Sequence, residues 1–565
     1  MHGQRPVLVL GLDGATWTIL EPWIADGTLP NLGRLRERGA WGPLASTIPP
    51  LTPPAWASFL TGKSPGRHGV FHFAEIDART SDIAAGAPTI VDSRSINSPT
   101  MWDVLGHAGR RIVTMNVPMS YPPRPVNGVM ITCLLTPPDA PVFTWPVELT
   151  PFLREGGYRI DLDRFIGEKP FERDEQGEKT KRSVEPSLEL VREFAEMEET
   201  RAQTALDLMR TETWDVFTVV FTAPDRMGHY MWSHHLPEEL DGSPEASEIQ
   251  RAIQAFYRRL DEQMGELIEE AGPDATVIVL SDHGMGPMFR RHVHWNDWLH
   301  RRGMIAVASG SGQSPDAWLL RFRLPRDRVG RLLRRVPFLG RSRVVERARR
   351  ARTARIDLDR STAYYVRLFD PVGGIRVNAT GAERDALIDR LLEEVREAPD
   401  PLTGRPVVVR AGRREEFFDG PFVSRLPEII LVMDESLGSS DRLSSYSALV
   451  TDRPGVGDPG AHRINGVFIA AGPEIAAADG PIADASIVDV APTLLHLAGV
   501  AVPDAMDGRV LSSILTEEAR QRPVEQVPEG ERWPSDAEAA FVETGRAEES
   551  DDQVRERLRA LGYVE

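Results

Sequence analysis

The sequence predicts an α/β fold: a doubly wound, mostly parallel sheet with helices on both faces, plus an inserted α+β subdomain. Three observations carry this expectation. Short apolar runs alternate with helix-length segments through the first half of the chain. A strongly basic stretch, followed by mixed short strands and one helix, interrupts the middle. The alternation of strand and helix resumes near Asn465.

Taken in order, Pro6–Leu12 is a short apolar run ending at Asp13. Leu29–Arg38 is helical, with Gly39 as its stop. Thr47–Pro54 is a proline-rich turn, and a helix begins at Ala55–Leu60. Met101–Ala108 is helical and Arg111–Val117 a strand. A helix over Thr200–Met209 leads to the strand Val216–Phe221, and a long helix over Ile249–Glu270 to the strand Ala275–Leu280. From Gly303 to Asp357 the composition turns basic, with clusters at Arg334-Arg335 and Arg347–Arg350. Strands at Gly374–Val377, Pro406–Val409 and Glu428–Val432 then accompany a helix near Ala382–Ala398. The strand Asn465–Ala470 and the helix Val490–Ala498 return to the α/β pattern. Beyond Leu515 an acidic, proline-containing tail runs to about Asp551, and an amphipathic piece, Val554–Tyr563, docks back on the domain. The expected division is a first part of the catalytic core at 1–302, the inserted subdomain at 303–440, the rest of the core at 441–515 and the tail at 516–565.

At 565 residues the chain exceeds one ordinary core, which fits one large catalytic domain and an accessory one. The 84 acidic residues outnumber the 66 Lys and Arg, for a net charge of −18. Such a surface disfavours nucleic acid, so an anionic substrate has to be attracted locally, by metal ions or a basic patch. Cys133 is the single cysteine, which rules out an intrachain disulfide. No leader precedes the first strand and no apolar run reaches bilayer length, so the expected location is the cytoplasm.

Four strand-like segments carry potential metal ligands. The first delivers Asp13, and Val216–Phe221 leads to Asp225, with His229 one helical turn on. Val277–Leu280 runs into Asp282-His283-Gly284, and His462 lies just ahead of Asn465–Ala470. Sites in open parallel sheets form beyond the carboxyl ends of strands, so the first three groups converge. His462 precedes its strand and has to arrive from a loop. Asp and His together favour zinc, with manganese also compatible. Three Asp and three His suit two divalent ions, which can clamp the attacking and leaving oxygens of an in-line displacement.

Thr52, on the turn entering a helix, is the candidate nucleophile, because a helix N-terminus favours an approaching anion. A free threonine hydroxyl is a poor nucleophile, and metal coordination would lower its pKa. Each residue also has a plainer reading. A lone Asp at a strand end is usually a turn or cap residue, and Thr52 alone reads as a helix cap beside Ser46, Thr47 and Ser58. The ordered set of six ligands outweighs those readings. Lys63 and Phe73 are candidate substrate contacts, whereas His292 and His294 read as structural or substrate-lining. The stretch Arg321–Arg355 reads as amphipathic helices packed on the domain, or as a peripheral contact with an anionic membrane or phosphorylated polymer.

Asp13, the stretch Thr52–Gly69, Asp225-x-x-x-His229, Asp282-His283-Gly284 and His462 resemble the alkaline phosphatase superfamily, and within it the type I phosphodiesterase/nucleotide pyrophosphatase family. The resemblance spans about Pro6–Met304 and Gly457–Leu515. It implies an alkaline phosphatase-like fold, one zinc held by Asp225, His229 and His462, and another by Asp13, Asp282, His283 and the Thr52 oxygen. It also implies a covalent phosphothreonine intermediate. The family's asparagine after His-Gly is missing from His68-Gly69-Val70-Phe71-His72-Phe73. Pro53 follows the nucleophile, where alkaline phosphatases proper carry an arginine nearby, and this tilts the expectation towards diesters. Cys133 lacks the sulfatase context. The expected function is therefore a metal-dependent phosphodiesterase or phosphohydrolase. The alternatives are a phosphotransferase passing the group to an acceptor alcohol and a non-catalytic metal-binding protein.

Overall fold

The computed structural model describes residues 5–76, 89–162, 184–236, 243–308, 355–452, 460–529 and 548–561. Its centre is an eight-stranded sheet. In chain order the strands are β1 (Val7–Leu12), β2 (Ala40–Ala45), β3 (Ile112–Met115), β4 (Gly128–Ile131), β5 (Thr144–Trp145), β6 (Val216–Phe221), β7 (Thr276–Leu280) and β19 (Asn465–Ala471). The spatial order is β2-β19-β7-β1-β6-β3-β4-β5. The five middle strands β7, β1, β6, β3 and β4 run parallel, and β2, β19 and β5 join antiparallel at the two sides. β1, β6 and β7 are buried at every position, as expected of strands covered on both faces. Leu8, Leu10 and Leu12 face one apolar cluster, and Val7 and Val9 face another on the opposite side of the sheet.

The register decides where chemistry can happen. Leu12 lies beside Phe221, and Gly11 beside both Val220 and Leu280. The three strands therefore end level, and the residues that follow them meet at one edge. Gly11 also lets a helix approach closely, since a Cβ there would stand 2.7 Å from the Trp56 ring. That contact seats the helix Thr52–Thr61 against the sheet.

The 28-residue helices Val184–Thr211 and Pro244–Ala271 cover one face. The helices Thr52–Thr61, Met101–His107 and Val490–Leu497 cover the other. The helix Glu548–Leu561 places Val554 and Leu558 in the first of these cores, so the terminal piece docks on the domain.

A second core lies over an antiparallel sheet of β12 (Ala363–Phe369), β13 (Val372–Val377), β15 (Ile429–Met433) and β14 (Val408–Arg413). The helices Gly381–Arg396 and Trp295–Arg301 contribute apolar residues to it. Short pairings link the remaining segments: β8 (Gly284–Pro287) with β18 (Gly460–Arg463), β9 (Arg291–Val293) with β16 (Leu437–Ser439) and β17 (Val450–Asp452), and β10 (Ala306–Val307) with β11 (Ile356–Asp357).

Several boundaries differ from expectation for identifiable reasons. The helix expected from Ala55 begins at Thr52, because Pro53 and Pro54 fit a first helical turn as well as a bend. The helix expected over Thr200–Met209 starts at Val184. β19 lies antiparallel to β7, a direction its apolar run does not encode. Apart from Arg355, the stretch Arg321–Arg355 lies outside the described residues. Among the described residues no helix is long and apolar enough to cross a membrane.

Candidate active site

Six Asp and His side chains and one threonine meet where β1, β6 and β7 end. Asp13 is the first residue past β1. Gly14 turns the chain there with a φ of +68°, and its N–H reaches Asp282 Oδ1 at 3.3 Å. Asp225 sits in the first turn of the helix Ala223–Met231, and His229 follows one turn later on the same face. Asp282 and His283 follow β7. His462 lies inside β18, opposite Met285 of β8, so it arrives on a paired strand and not, as expected, on a loop. Pairing with the strand that directly follows His283 is what aims it back at the sheet edge.

His229 Nε2 lies 2.9 Å from His462 Nε2, and both nitrogens approach Asp225 Oδ1, at 3.3 and 3.4 Å. His283 Nε2 lies 3.4 Å from Asp282 Oδ2 and 3.7 Å from Asp13 Oδ1. The rings of His283 and His462 stack at 3.6 Å. Two sets of potential ligand atoms are compact, Asp13/Asp282/His283 and Asp225/His283/His462. His229 adjoins the second through its contacts with Asp225 and His462. His462 Nδ1 donates to Pro50 O at 2.9 Å and His283 Nδ1 to Gly284 O at 3.1 Å. Carbonyl acceptors at Nδ1 leave the Nε2 lone pairs turned into the cluster, the tautomer a metal requires.

The electrostatics fit a cation. Asp13 Oδ1 and Asp282 Oδ2 are buried and accept no hydrogen bond, and burying a carboxylate oxygen unanswered is costly. Burial first, then the charges of Asp282 and Asp225, push the Asp13 carboxyl well above its ordinary range. Burial and the Asp225 charge push Asp282 up to about 8. Burial holds the His283 and His462 imidazoles below their usual range, hence neutral. Burial would raise Asp225 too, but its contacts with His229 and His462 keep it well below the usual carboxylate range. Crowded carboxylates with neutral imidazoles form a donor set suited to divalent metal ions.

Thr52 is buried at the head of its helix, with Oγ1 3.4 Å from His283 Nε2. Pro53 and Pro54 have no N–H, and the Ala55 N–H bonds Leu51 O at 3.0 Å. That leaves Thr52 as the residue whose N–H this helix end can offer an anion.

Of the two candidate substrate contacts, the structure sets Lys63 apart from this cluster and buries Phe73 in the main core. Lys63 follows the far end of the ten-residue helix, and its Nζ pairs with Glu529 at 2.6 Å. Nearness to Thr52 in sequence is undone by a helix rising about 1.5 Å per residue. Phe73 is packed fully inside the main core and presents no surface to a substrate. His294 bonds Thr451 Oγ1 at 2.7 Å and stacks on Tyr446. Ser58 and His68 form a buried pair at 3.0 Å, but the Val70 N–H donates to His68 Nδ1, so Nε2 carries the proton and donates to Ser58 Oγ. His68 therefore cannot act as a base toward Ser58.

Sequence reasoning missed two neighbours of the cluster. Arg226 Nη1 lies 3.0 Å from Asp225 Oδ2. The Phe369 ring, at the end of β12, lies 4.8 Å from the His462 ring and brings the second core to the site. Adjacency to Asp225 was the one available signal for Arg226, and nothing local marks Phe369.

A family model described as type I phosphodiesterase/nucleotide pyrophosphatase matches residues 7–445, a span holding every ligand above except His462. No curated protein matches the chain. Similar solved structures include phosphonoacetate hydrolase from Sinorhizobium meliloti 1021 in complex with phosphonoformate, at 16% identity and a TM-score of 0.49, covering 88% of this chain and 96% of that one. Human ectonucleotide pyrophosphatase/phosphodiesterase 5 is 14% identical with a TM-score of 0.46, covering 91% of this chain and 100% of that one.

Proposed function

Since the chain belongs to the type I phosphodiesterase/nucleotide pyrophosphatase family, whose members are metal-dependent phosphoric ester hydrolases, we propose that it cleaves phosphodiesters with Thr52 as nucleophile and two divalent metal ions as cofactors. The observation that supports this reading best is the meeting of Thr52 with carboxylate oxygens that the fold buries and leaves without hydrogen bonds. Asp225, His229 and His462 would hold one ion, and Asp13, Asp282, His283 and the Thr52 oxygen the other. The imidazole share of the set favours zinc over magnesium or calcium. When bound, the ions would supply the positive charge that lowers the threonine pKa and stabilises the oxygens around phosphorus.

The chain's own residues do the rest. Thr52 Oγ1 gives its proton to water and forms a bond to phosphorus while the bond to the leaving oxygen breaks, and the departing alkoxide takes a proton from water. The helix holds Oγ1 beside His283, so attack needs no side-chain search. Water then cleaves the phosphothreonine, which restores the hydroxyl and releases the phosphorylated product.

The test pairs metal analysis with turnover of bis-p-nitrophenyl phosphate and p-nitrophenyl phosphate. Expected are two ions per chain, faster turnover of the diester, and loss of turnover in Thr52→Ala with metal content retained. Wild-type rates in Thr52→Ala would remove Thr52 from the mechanism. Diester turnover without any bound metal would remove the ions.

A further inference from the structure

We propose that Arg226 determines metal selectivity: by holding one oxygen of Asp225 it limits that carboxylate to one-oxygen ligation, which favours Zn2+ over ions that take more oxygens. The inference rests on the reading of Asp225, His229 and His462 as the ligands of one ion. Arg226 Nη1 donates to Asp225 Oδ2 at 3.0 Å. The other oxygen, Oδ1, lies 3.3 Å from His229 Nε2 and 3.4 Å from His462 Nε2. The two oxygens therefore have separate tasks, one toward the imidazoles and one toward the guanidinium.

Two features hold this division in place. Adjacent residues on a helix do not face each other, so the helix alone does not bring Arg226 to its predecessor. The second branch of the guanidinium explains the geometry. Nη2 donates to Asp161 Oδ2 at 3.0 Å, and Asp161 Oδ1 takes the Leu162 N–H at 2.9 Å. Asp161, Asp225 and Arg226 are all buried, where charges are screened little. Gly14 also crowds Asp225, for a Cβ added there would stand 2.8 Å from Asp225 Cβ and 3.0 Å from Oδ1. The carboxylate thus has little room to turn and offer both oxygens. One oxygen beside two imidazoles suits the low coordination number of zinc. A two-oxygen carboxylate suits Mn2+ or Ca2+, which take more oxygen ligands. A plain buried ion pair would serve folding and leave the choice of metal unchanged.

The experiment titrates the full metal-free chain with Zn2+ and with Mn2+, each against a competing chelator, and records thermal unfolding beside it. Asp225→Asn identifies the binding step that Asp225 serves. For that step Arg226→Met is expected to lower the ratio of Zn2+ to Mn2+ affinity by about tenfold or more, the scale on which partners of metal ligands act. Loss of the guanidinium charge favours either cation alike, so the ratio isolates the change at Oδ2. Arg226→Lys, which keeps a donor and a charge, should retain most of the wild-type ratio. Arg226→Met strands the Asp161 carboxylate, so Arg226→Met/Asp161→Asn removes the pair together and should show the same fall with less loss of stability. An unchanged ratio in either folded variant, whatever its unfolding temperature, overturns the proposal, and so does failure of both to fold. If Asp225→Asn binds both ions like wild type, the ligand reading itself fails and takes this inference with it.

Discussion

Two buried polar centres lie close together past the ends of the central strands, and they are built in opposite ways. In the first, around Glu198 and Arg201 of the helix Val184–Thr211, nearly every charge is answered. Glu198 accepts from Arg201 Nη1 at 2.5 Å and from the Ala223 N–H at 2.8 Å. Arg201 also donates to Val220 O, Thr222 Oγ1 and Ile160 O, although its Nε finds no partner. In the second, Asp13 Oδ1 and Asp282 Oδ2 are equally buried and accept no hydrogen bond. Folding tolerates the first because its charges cancel within the chain. The second crowds its carboxylates together without such partners, an arrangement suited to a cation. A buried ion pair says little about function, whereas a buried, incompletely bonded carboxylate group marks where a ligand belongs.

The sharpest way to break this contrast is to remove a charge from each centre. Asp282→Asn should lose metal and about a thousandfold in kcat, the scale of several kcal/mol of transition-state stabilisation. The same change should leave the metal-free protein no less stable than wild type, because it relieves carboxylate crowding. A fall in the unfolding temperature of metal-free Asp282→Asn would show that the cluster is structurally satisfied after all. Glu198→Ala should do the reverse, costing about 3–5 kcal/mol of stability by stranding Arg201. Metal content per folded chain should not change. Loss of metal in Glu198→Ala would join the two centres into one.

A third, smaller effect concerns pH. Burial lowers His68 to about 3 and His72 and His235 to about 4, so each stays neutral in the fold while the unfolded chain takes up protons below about 6.5. The unfolded state then binds more protons, and stability falls as pH drops from about 6.5 towards 4. His235→Phe should flatten that fall by roughly one proton, about 1.4 kcal/mol per pH unit, measured by urea unfolding across the window. An unchanged slope would exclude His235 as a contributor. The smallest effect is expected at Lys63. Lys63→Met should cost roughly 1 kcal/mol or less through the lost Glu529 pair, and should leave KM for bis-p-nitrophenyl phosphate unchanged. A large rise in KM would return Lys63 to the substrate site.

Much of the site was legible because strand ends announce themselves. β6 spans the expected Val216–Phe221, and apolar runs leading to Asp13, Asp225 and Asp282 place those residues at one edge by topology alone. What stayed hidden depends on long-range pairing. That His462 rides on β18 follows from its partnership with β8, which the few residues Gly460–Arg463 do not advertise. The enclosure of Arg226, Asp161 and Arg557 was invisible for a related reason: a charged residue is normally read as solvent-facing, and only the assembled core shows these three to be buried. The amphipathic terminal piece was foreseen to dock, but the arginine on its inner face was not.

The pairing of β8 with β18 also has a consequence in time. As the chain leaves the ribosome, Thr52 and all the ligands up to His283 emerge in the first half, and His462 follows only after some 180 further residues have been made. The edge β19 adds to β7 arrives at the same late moment. On the proposed reading, a nascent chain carries most of the ligands well before the last nitrogen donor is made, and a product truncated before residue 462 never gains it.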